Sequence, residues 1–256
     1  MKTAVLSSGS KGNSVLVQTN NTKILIDLGI SKSYAEEKLS EINVDPKEIK
    51  AILITHTHSD HIQGLKVFLK KFHPTIYVNK ILKELLDEYI DYDNYYIYDK
   101  SNFDIGDINI DVIKTSHDAK GSVGFILSSN NKSMVYITDT GYINERYFDK
   151  LKGHNLYIME SNHDAEMLMN GKYPYHLKQR ILSPKGHLSN DDSSEYLYRF
   201  INKNTNVIIL AHLSDDNNTY DKALDALNSK LSKKKNNVKK VIIAKQKQRT
   251  DLIELW

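Results

Sequence analysis

The chain contains no cysteine. This absence excludes disulfide bonds, cysteine-ligated zinc and a catalytic thiol, and it is typical of proteins from a reducing compartment such as the cytosol. The sequence also lacks an apolar run approaching the roughly 18 residues that span a bilayer. Met1 leads directly into an apparent strand, so we expect neither a secretory leader nor a transit peptide. These absences together favour a cytoplasmic protein that does not contact a membrane.

The composition is that of an ordinary globular protein. Of the 256 residues, 40% are hydrophobic and 26% are charged, which is enough apolar material for one sizeable core. Length and composition allow one sizeable domain over residues 1–256 or two small ones. The formal net charge of +3 permits a polyanionic partner, but lysine-rich solvated surfaces are the commoner cause of such a balance.

The most informative stretch is Thr55–Gly64, here called the histidine loop, which follows an apolar strand at Ala51–Ile54. It carries four potential metal ligands: His56, His58, Asp60 and His61. Alternate side chains of an extended segment lie on one face, so the first two imidazoles can converge on one cation. The other two ligands, just before a helix predicted over Ile62–Phe72, point elsewhere and can hold a second cation. The loop therefore predicts a two-metal site.

The spacing His-x-His-x-Asp-His after a strand resembles the signature of metallo-β-lactamase fold hydrolases. The resemblance implies an α/β fold, a four-layer αββα sandwich, with further ligands taken from later strand ends. The matching positions in this chain are His117, Asp139 and His212. One metal would then be bound by His56, His58 and His117, and the other by Asp60, His61 and His212, with Asp139 bridging them. Asp27 resembles an acid that supports the histidine loop, although a helix N-cap is its alternative interpretation.

A further pair of residues indicates which members of that family the chain resembles. Glu160 ends an apolar strand, and His187 lies in a later Gly-His-Leu-Ser segment. Together they resemble the glutamate–histidine dyad of the tRNA 3′-processing endonuclease and related phosphodiesterases. Such a dyad implies a protonated His187, oriented by Glu160, that donates a proton to the departing oxygen or steadies a phosphoryl oxygen. The alternative for His187 is a place in the cap of the following helix.

The expected chemistry follows from the implied ligand set. A water between two divalent cations loses its proton near neutral pH, as zinc-bound water does with a pKa of about 7. The resulting bridging hydroxide would attack an electrophilic phosphorus in line. The residues expected to carry catalysis are Asp60, Asp139, Glu160 and His187. Imidazole-rich ligation suits zinc, while the mixed set also tolerates manganese or iron.

Motifs along most of the chain resemble the YycJ/WalJ-like branch of that family. They include Ser8-Gly-Ser-Lys-Gly-Asn13, Ser116-His-Asp118, Glu160-Ser-Asn-His-Asp164 and His212-Leu-Ser214. The resemblance implies a 5′→3′ exonuclease acting on DNA. The alternatives are a small-molecule or cyclic-nucleotide phosphodiesterase, a thiolester or other hydrolase of the same superfamily, and a binding module with a degenerate site.

Several other segments have two interpretations from sequence. The Ser8–Asn13 segment with Lys11 could cradle phosphate, but a plain hairpin turn is favoured. The tyrosines of Tyr89–Asp99 could stack on bases, but a surface loop is favoured because the acids among them would repel phosphate. The helix predicted over Tyr173–Arg180 could grip a nucleic-acid backbone or present a solvated face. The lysine run Lys230–Lys240 is more often a solvated turn, yet it is the best candidate from sequence for a DNA contact.

Overall fold

The computed structural model describes residues 1–255, so the last residue of the predicted domain, Trp256, lies outside the described residues. Fourteen strands form two seven-stranded sheets, with helices on both outer faces. The strands are β1 Lys2–Ser7, β2 Ser14–Gln18, β3 Lys23–Ile26, β4 Ile49–Leu53, β5 Thr75–Val78, β6 Tyr95–Ile97, β7 Asn102–Ile105, β8 Ile108–Lys114, β9 Val123–Ser129, β10 Lys132–Ile137, β11 Leu156–Glu160, β12 Val207–Ala211, β13 Lys240–Ile243 and β14 Ile253–Glu254. The helices are α1 Lys32–Ser40, α2 Ser59–Ile62, α3 Leu65–Phe72, α4 Lys80–Asp87, α5 Phe148–Leu151, α6 Ala165–Asn170, α7 Tyr175–Leu182, α8 Asn190–Phe200 and α9 Tyr220–Leu231. The predicted four-layer αββα sandwich is confirmed.

Strand order explains why the central strands are apolar on both faces. The first sheet has the order β14-β1-β2-β3-β4-β5-β6 and the second β13-β12-β11-β10-β9-β8-β7. In β12, Val207, Ile209 and Ala211 pack between the sheets, while Ile208 and Leu210 pack against the outer helices. Side chains alternate across a strand, so a strand covered on both faces reads as a continuous apolar run.

The same topology brings several strand ends to one edge. In the second sheet, β10, β11 and β12 are parallel, and β8 runs with them because β8 and β10 are both antiparallel to β9. In the first sheet, β3 and β4 are parallel. The carboxyl ends of parallel strands meet at one edge, where the loops that follow them can form a site.

The structure corrects two local predictions. The predicted surface loop Tyr89–Asp99 contains strand β6, which pairs with β5 at the edge of the first sheet. Sequence pattern missed it because an edge strand of three residues with mostly exposed side chains shows no alternation. The predicted helix Ile62–Phe72 is two helices, α2 and α3, and α2 starts at Ser59. Asp60 and His61 therefore lie within a helical turn and not before it.

Among residues 1–255, none of the helices combines the length and the apolar character that crossing a bilayer requires.

Candidate metal centre

The first cluster contains three imidazoles, His56 and His58 from the histidine loop and His117 from the loop after β8. Their candidate ligand atoms all lie within 4.8 Å of one another. His117 Nε2 is 3.2 Å from His58 Nδ1. His56 Nε2 is buried and has no hydrogen-bond partner among residues 1–255. A buried nitrogen without a partner is costly, and a shared cation would satisfy it.

The second cluster joins the histidine loop to the end of β12. Asp60 Oδ2 lies 3.6 Å from His61 Nε2 and 3.6 Å from His212 Nε2. His212 Nε2 is likewise buried without a hydrogen-bond partner in the described part of the chain. One carboxylate oxygen and two ring nitrogens therefore face a common point.

Asp139, directly after Thr138 at the end of β10, lies between the two clusters. Its Oδ2 is 3.2 Å from His61 Nε2, and its Oδ1 is 3.8 Å from His117 Nε2. The carboxylate is 3% exposed, so its two oxygens are directed at protein groups and not at bulk water. Oδ1 is also 3.6 Å from His212 Nδ1, so the carboxylate as a whole lies within reach of both clusters, as a bridging ligand requires.

Three residues that follow strands reach this edge with backbone strain. Asp27, Asp139 and His212 have φ values of 57°, 55° and 56°. Left-handed backbone is uncommon for residues with a side chain, and each such residue costs on the order of 1–3 kcal/mol. The surrounding sheets hold these turns, which direct the two carboxylates and the imidazole toward the centre.

The far nitrogens of the rings are held by acceptors. His61 Nδ1 donates to Asp27 Oδ2 at 2.7 Å, and His212 Nδ1 donates to Glu160 Oε1 at 2.9 Å. His117 Nδ1 donates to the Gly186 carbonyl at 3.2 Å. Because the proton of each ring sits on Nδ1, its Nε2 carries the lone pair that a cation needs.

Histidines of the two clusters have pKa values shifted in opposite directions. Burial lowers the pKa of His56 well below its ordinary value and lowers the pKa of His117. Burial also opposes protonation of His61, but Asp139 and Asp27 outweigh it and raise the pKa of His61 to about 10. Against the same effect of burial, Asp139 and Asp60 raise the pKa of His212 well above its ordinary value. A field that favours a proton at these nitrogens also favours a divalent cation there.

Asp27 holds the start of the histidine loop through hydrogen bonds to Thr55. Its Oδ1 accepts from the Thr55 amide at 2.8 Å, and its Oδ2 accepts from Thr55 Oγ1 at 2.7 Å. The residue is 0% exposed. The cap of α1 is Ser31, so the interpretation of Asp27 as a helix cap is wrong.

Replacing Asp27 by asparagine is expected to weaken divalent-metal binding about 10- to 100-fold, because losing a carboxylate partner of a ligating histidine has this effect. Competition with a chromogenic chelator measures the affinity. Asp111→Asn, the same change at a strand position on the protein surface, is the control. Unchanged metal affinity in a variant that melts like the parent would contradict this role.

Glu160 and His187 lie beside the two clusters. His187 Nδ1 donates to Glu160 Oε1 at 2.8 Å and is 3.6 Å from Asp139 Oδ1. Glu160 Oε2 accepts from the Thr140 and Leu188 amides at 3.0 and 3.1 Å. The N-cap of α8 is Ser189, so His187 does not cap that helix.

Glu160 serves two imidazoles at once, because its Oε1 accepts from both His187 and His212. Burial opposes ionisation of Glu160, but the interaction with His187 outweighs it and lowers the pKa of Glu160 to about 2. Burial likewise opposes protonation of His187, and Glu160 outweighs it and raises the pKa of His187. Glu160 therefore stays ionised, and His187 is protonated more readily than an ordinary histidine.

Sequence reasoning missed Asn13. The side chain is buried, its Nδ2 donates to Asp60 Oδ2 at 3.2 Å, and it lies 3.0 Å from His61 Nε2. Ser8 Oγ in the same segment accepts from the His212 amide at 2.8 Å. Lys11 instead forms an exposed ion pair with Asp215. The segment therefore contacts the centre through Asn13 and Ser8. Its high density of small polar residues was the local sequence feature that pointed to such a role.

Asp118 and Arg180 form the outer rim of the first cluster; Asp118 was not predicted as a site residue, and Arg180 was predicted as a nucleic-acid backbone contact or part of a solvated face. Asp118 Oδ1 is 3.4 Å from His117 Nε2 and 3.6 Å from His58 Nε2, while its Oδ2 accepts from Arg180 Nε at 2.5 Å. Arg180 lies on α7, the helix predicted to carry cations. Of the other two basic residues on α7, His176 is exposed and Lys178 donates to the Met169 carbonyl. Only Arg180 of this set reaches the rim.

Comparison with known proteins agrees with this geometry. Residues 8–187 match the family model of the metallo-beta-lactamase superfamily. The chain is 39% identical over 223 residues to the exodeoxyribonuclease WalJ of Streptococcus pneumoniae, covering 85% of this chain and 83% of that protein. It is 37% identical over 235 residues to the exodeoxyribonuclease YycJ of Bacillus anthracis, covering 90% and 89%.

Among solved structures, the metallo-beta-lactamase fold protein YhfI of Bacillus subtilis superposes with a TM-score of 0.74. It shares 17% sequence identity, and the alignment covers 97% of this chain and 98% of that one. At this identity the likeness shows the fold. Taken together, the family model and the two relatives that span most of the chain show that this protein belongs to the metallo-β-lactamase superfamily, in the group that contains WalJ and YycJ.

Proposed function

We propose that this protein is a metal-dependent DNA exonuclease that degrades its substrate in the 5′→3′ direction. The observation that carries the proposal is the Glu160–His187 pair at hydrogen-bond distance, with His187 Nδ1 3.6 Å from Asp139 Oδ1. A proton carrier thus stands beside a cluster of metal-binding side chains. The two relatives that cover most of the chain are named exodeoxyribonucleases, which supports DNA as the substrate. The proposal also treats residues 1–256 as one domain.

The donor set fits two divalent cations. His56, His58 and His117 would hold one, Asp60, His61 and His212 the other, and Asp139 would contact both. The buried Nε2 atoms of His56 and His212 are without hydrogen-bond partners in residues 1–255, which supports this assignment. When bound, the cations supply Lewis acidity toward water and phosphoryl oxygen. We propose zinc or manganese, with iron as a further possibility, because imidazole and carboxylate ligands suit all three.

The chain's own groups would handle the leaving proton. Glu160 holds the Nδ1 proton of His187, which leaves Nε2 as the nitrogen that can donate to the departing 3′-oxygen. The raised pKa of His187 keeps that proton available near neutral pH. Glu160, with its pKa lowered to about 2, orients the ring and stays ionised. Asp60 and Asp139 would fix the positions of the reacting groups.

The alternatives from sequence are a small-molecule or cyclic-nucleotide phosphodiesterase and a thiolester hydrolase. Neither is favoured, because the relatives that span most of both chains are exodeoxyribonucleases.

The proposal is tested by loading the purified protein with zinc, manganese or iron and incubating it with single- and double-stranded DNA labelled at either end. We expect early release of the 5′ label and loss of activity with a chelator. Bis-p-nitrophenyl phosphate and a cyclic nucleotide are assayed in parallel. Hydrolysis of these small esters with every DNA and RNA substrate left intact would refute the nuclease assignment, and early release of the 3′ label would refute the proposed direction.

A further inference from the structure

A groove of about 730 Å³ reaches the metal centre at His117. The segment after β5 and the turn between β6 and β7 contribute Lys80 and Lys100 to its lining. The end of β8 and the segment that precedes His187 contribute Lys114 and Lys185. The groove is separate from the smaller cavity of about 180 Å³ over His187 and His212.

The groove is strongly cationic. The side chains of Lys80, Lys100, Lys114 and Lys185 are exposed, and no ion pair with an acidic residue of 1–255 neutralises them. A fifth lysine, Lys150, also lines the groove but pairs with Asp111 at 3.2 Å. Asp99 is the one acidic residue among the described residues that line it. Unpaired cations along a concave surface focus potential and attract a polyanion.

We propose that this groove binds the sugar–phosphate backbone of one DNA strand and leads it to the metal centre. The proposal rests on the proposed nuclease function and names the surface that holds the substrate. Lysine ammonium groups bind phosphates as point charges without reading sequence. A volume of about 730 Å³ is enough for a short stretch of one strand, and a single strand is the occupant that we propose.

The rival surface, the lysine run Lys230–Lys240, is partly engaged within the protein. Lys230 pairs with Glu195 at 2.7 Å, Lys234 donates to the Tyr198 and Ile201 carbonyls, and Lys240 is 3.8 Å from Asp251. The run also precedes β13, which is parallel to β12. It therefore lies toward the amino ends of these strands, at the edge opposite the metal centre.

The test compares two variants with the same loss of charge. The groove variant carries Lys80→Gln, Lys100→Gln, Lys114→Gln and Lys185→Gln. The control variant carries Lys47→Gln, Lys203→Gln, Lys233→Gln and Lys235→Gln, four exposed lysines that precede β4, β12 or β13. Binding of a fluorescent single-stranded oligodeoxynucleotide is measured by anisotropy in chelator, over a series of salt concentrations. Hydrolysis of bis-p-nitrophenyl phosphate by metal-loaded protein shows that the centre is intact.

We expect Kd to rise on the order of 10- to 100-fold in the groove variant at about 100 mM salt. The slope of log K against log salt should fall by about 0.7 for each lost phosphate contact with a single strand. Hydrolysis of the small ester should match that of the parent, and the control variant should bind DNA like the parent.

Equal affinity and equal salt slope in the groove and control variants would overturn the proposal, as would a larger loss for a blunt duplex than for the single strand. A parent protein that degrades no DNA would reject the nuclease function itself. If the parent degrades DNA and the groove variant binds DNA as tightly as the parent, only the proposed binding surface is rejected and the nuclease function stands.

Discussion

Replacing Asp139 by alanine is expected to lower kcat/KM for DNA by at least about 10³-fold, which corresponds to about 4 kcal/mol of lost transition-state stabilisation. The reason is its position. Its Oδ2 is 3.2 Å from His61 Nε2 and its Oδ1 is 3.8 Å from His117 Nε2, so removing it would unlink both clusters. The substitution also removes a buried negative charge that raises the pKa of both His61 and His212. Part of the electrostatic field that favours cations at these nitrogens is lost with that charge.

Two measurements on the same preparations check this prediction: the rate of release of labelled nucleotide, and the metal content by elemental analysis. Asp139→Ala should bind fewer metal ions per chain than the parent. Asp139→Asn should keep the packing but lose the charge, and should be nearly as inactive. The control is Asp149→Ala, which removes an exposed carboxylate paired only with Lys152. If Asp139→Ala retained the parent's metal content and rate, the bridging assignment would be rejected.

Replacing His187 by alanine is expected to lower kcat for DNA by about 10²–10⁴-fold, the usual contribution of a positioned general acid. His187 also belongs to a candidate metal-binding group with Asp139, Glu160 and His212, but its Nδ1 donates to Glu160, so we expect metal content to stay at the parent value. The effect should shrink strongly for a substrate with a p-nitrophenolate leaving group, since a good leaving group needs little protonation. The leaving-group dependence separates a proton donor from a residue that only supports the fold.

Matched variants sharpen this experiment. His187→Gln keeps a polar side chain and should be as impaired as the alanine variant. Glu160→Gln should lose both activity and metal, because Glu160 also holds His212. His176→Ala, an exposed histidine on α7, is the control. If His187→Ala slowed both leaving groups equally, the general-acid role would be wrong.

Much of the centre could be predicted from sequence because its residues sit at strand ends, and strands are recognised by local apolar pattern. The histidine loop follows β4, and Asp139, Glu160 and His212 end or follow β10, β11 and β12. The family resemblance supplied the order in which these ends are used, and both the fold and the family are confirmed. Asn13 was missed because its contact with Asp60 joins residues 47 positions apart, and no local pattern marks such a partner.

The lysines also differ between what the sequence predicts and what the structure brings together. By sequence the densest cluster is Lys230–Lys240, but Lys230 pairs with Glu195 and Lys234 donates to backbone carbonyls. The unpaired lysines of the groove are scattered between residues 80 and 185 and share a surface only because β5 and β8 end at the same side of the molecule.

The sequence by itself indicated the apolar strands and the histidine loop, because these depend on residue type and on periodicity along a few neighbouring positions. The resemblance to a known family added the layered architecture and the remaining candidate ligands. Only the tertiary structure decided that Glu160 serves both His187 and His212, that Asp27 holds His61 and Thr55, and which lysines face the centre. Those contacts depend on how two sheets are registered and packed against each other, a relationship between distant segments that local pattern does not contain.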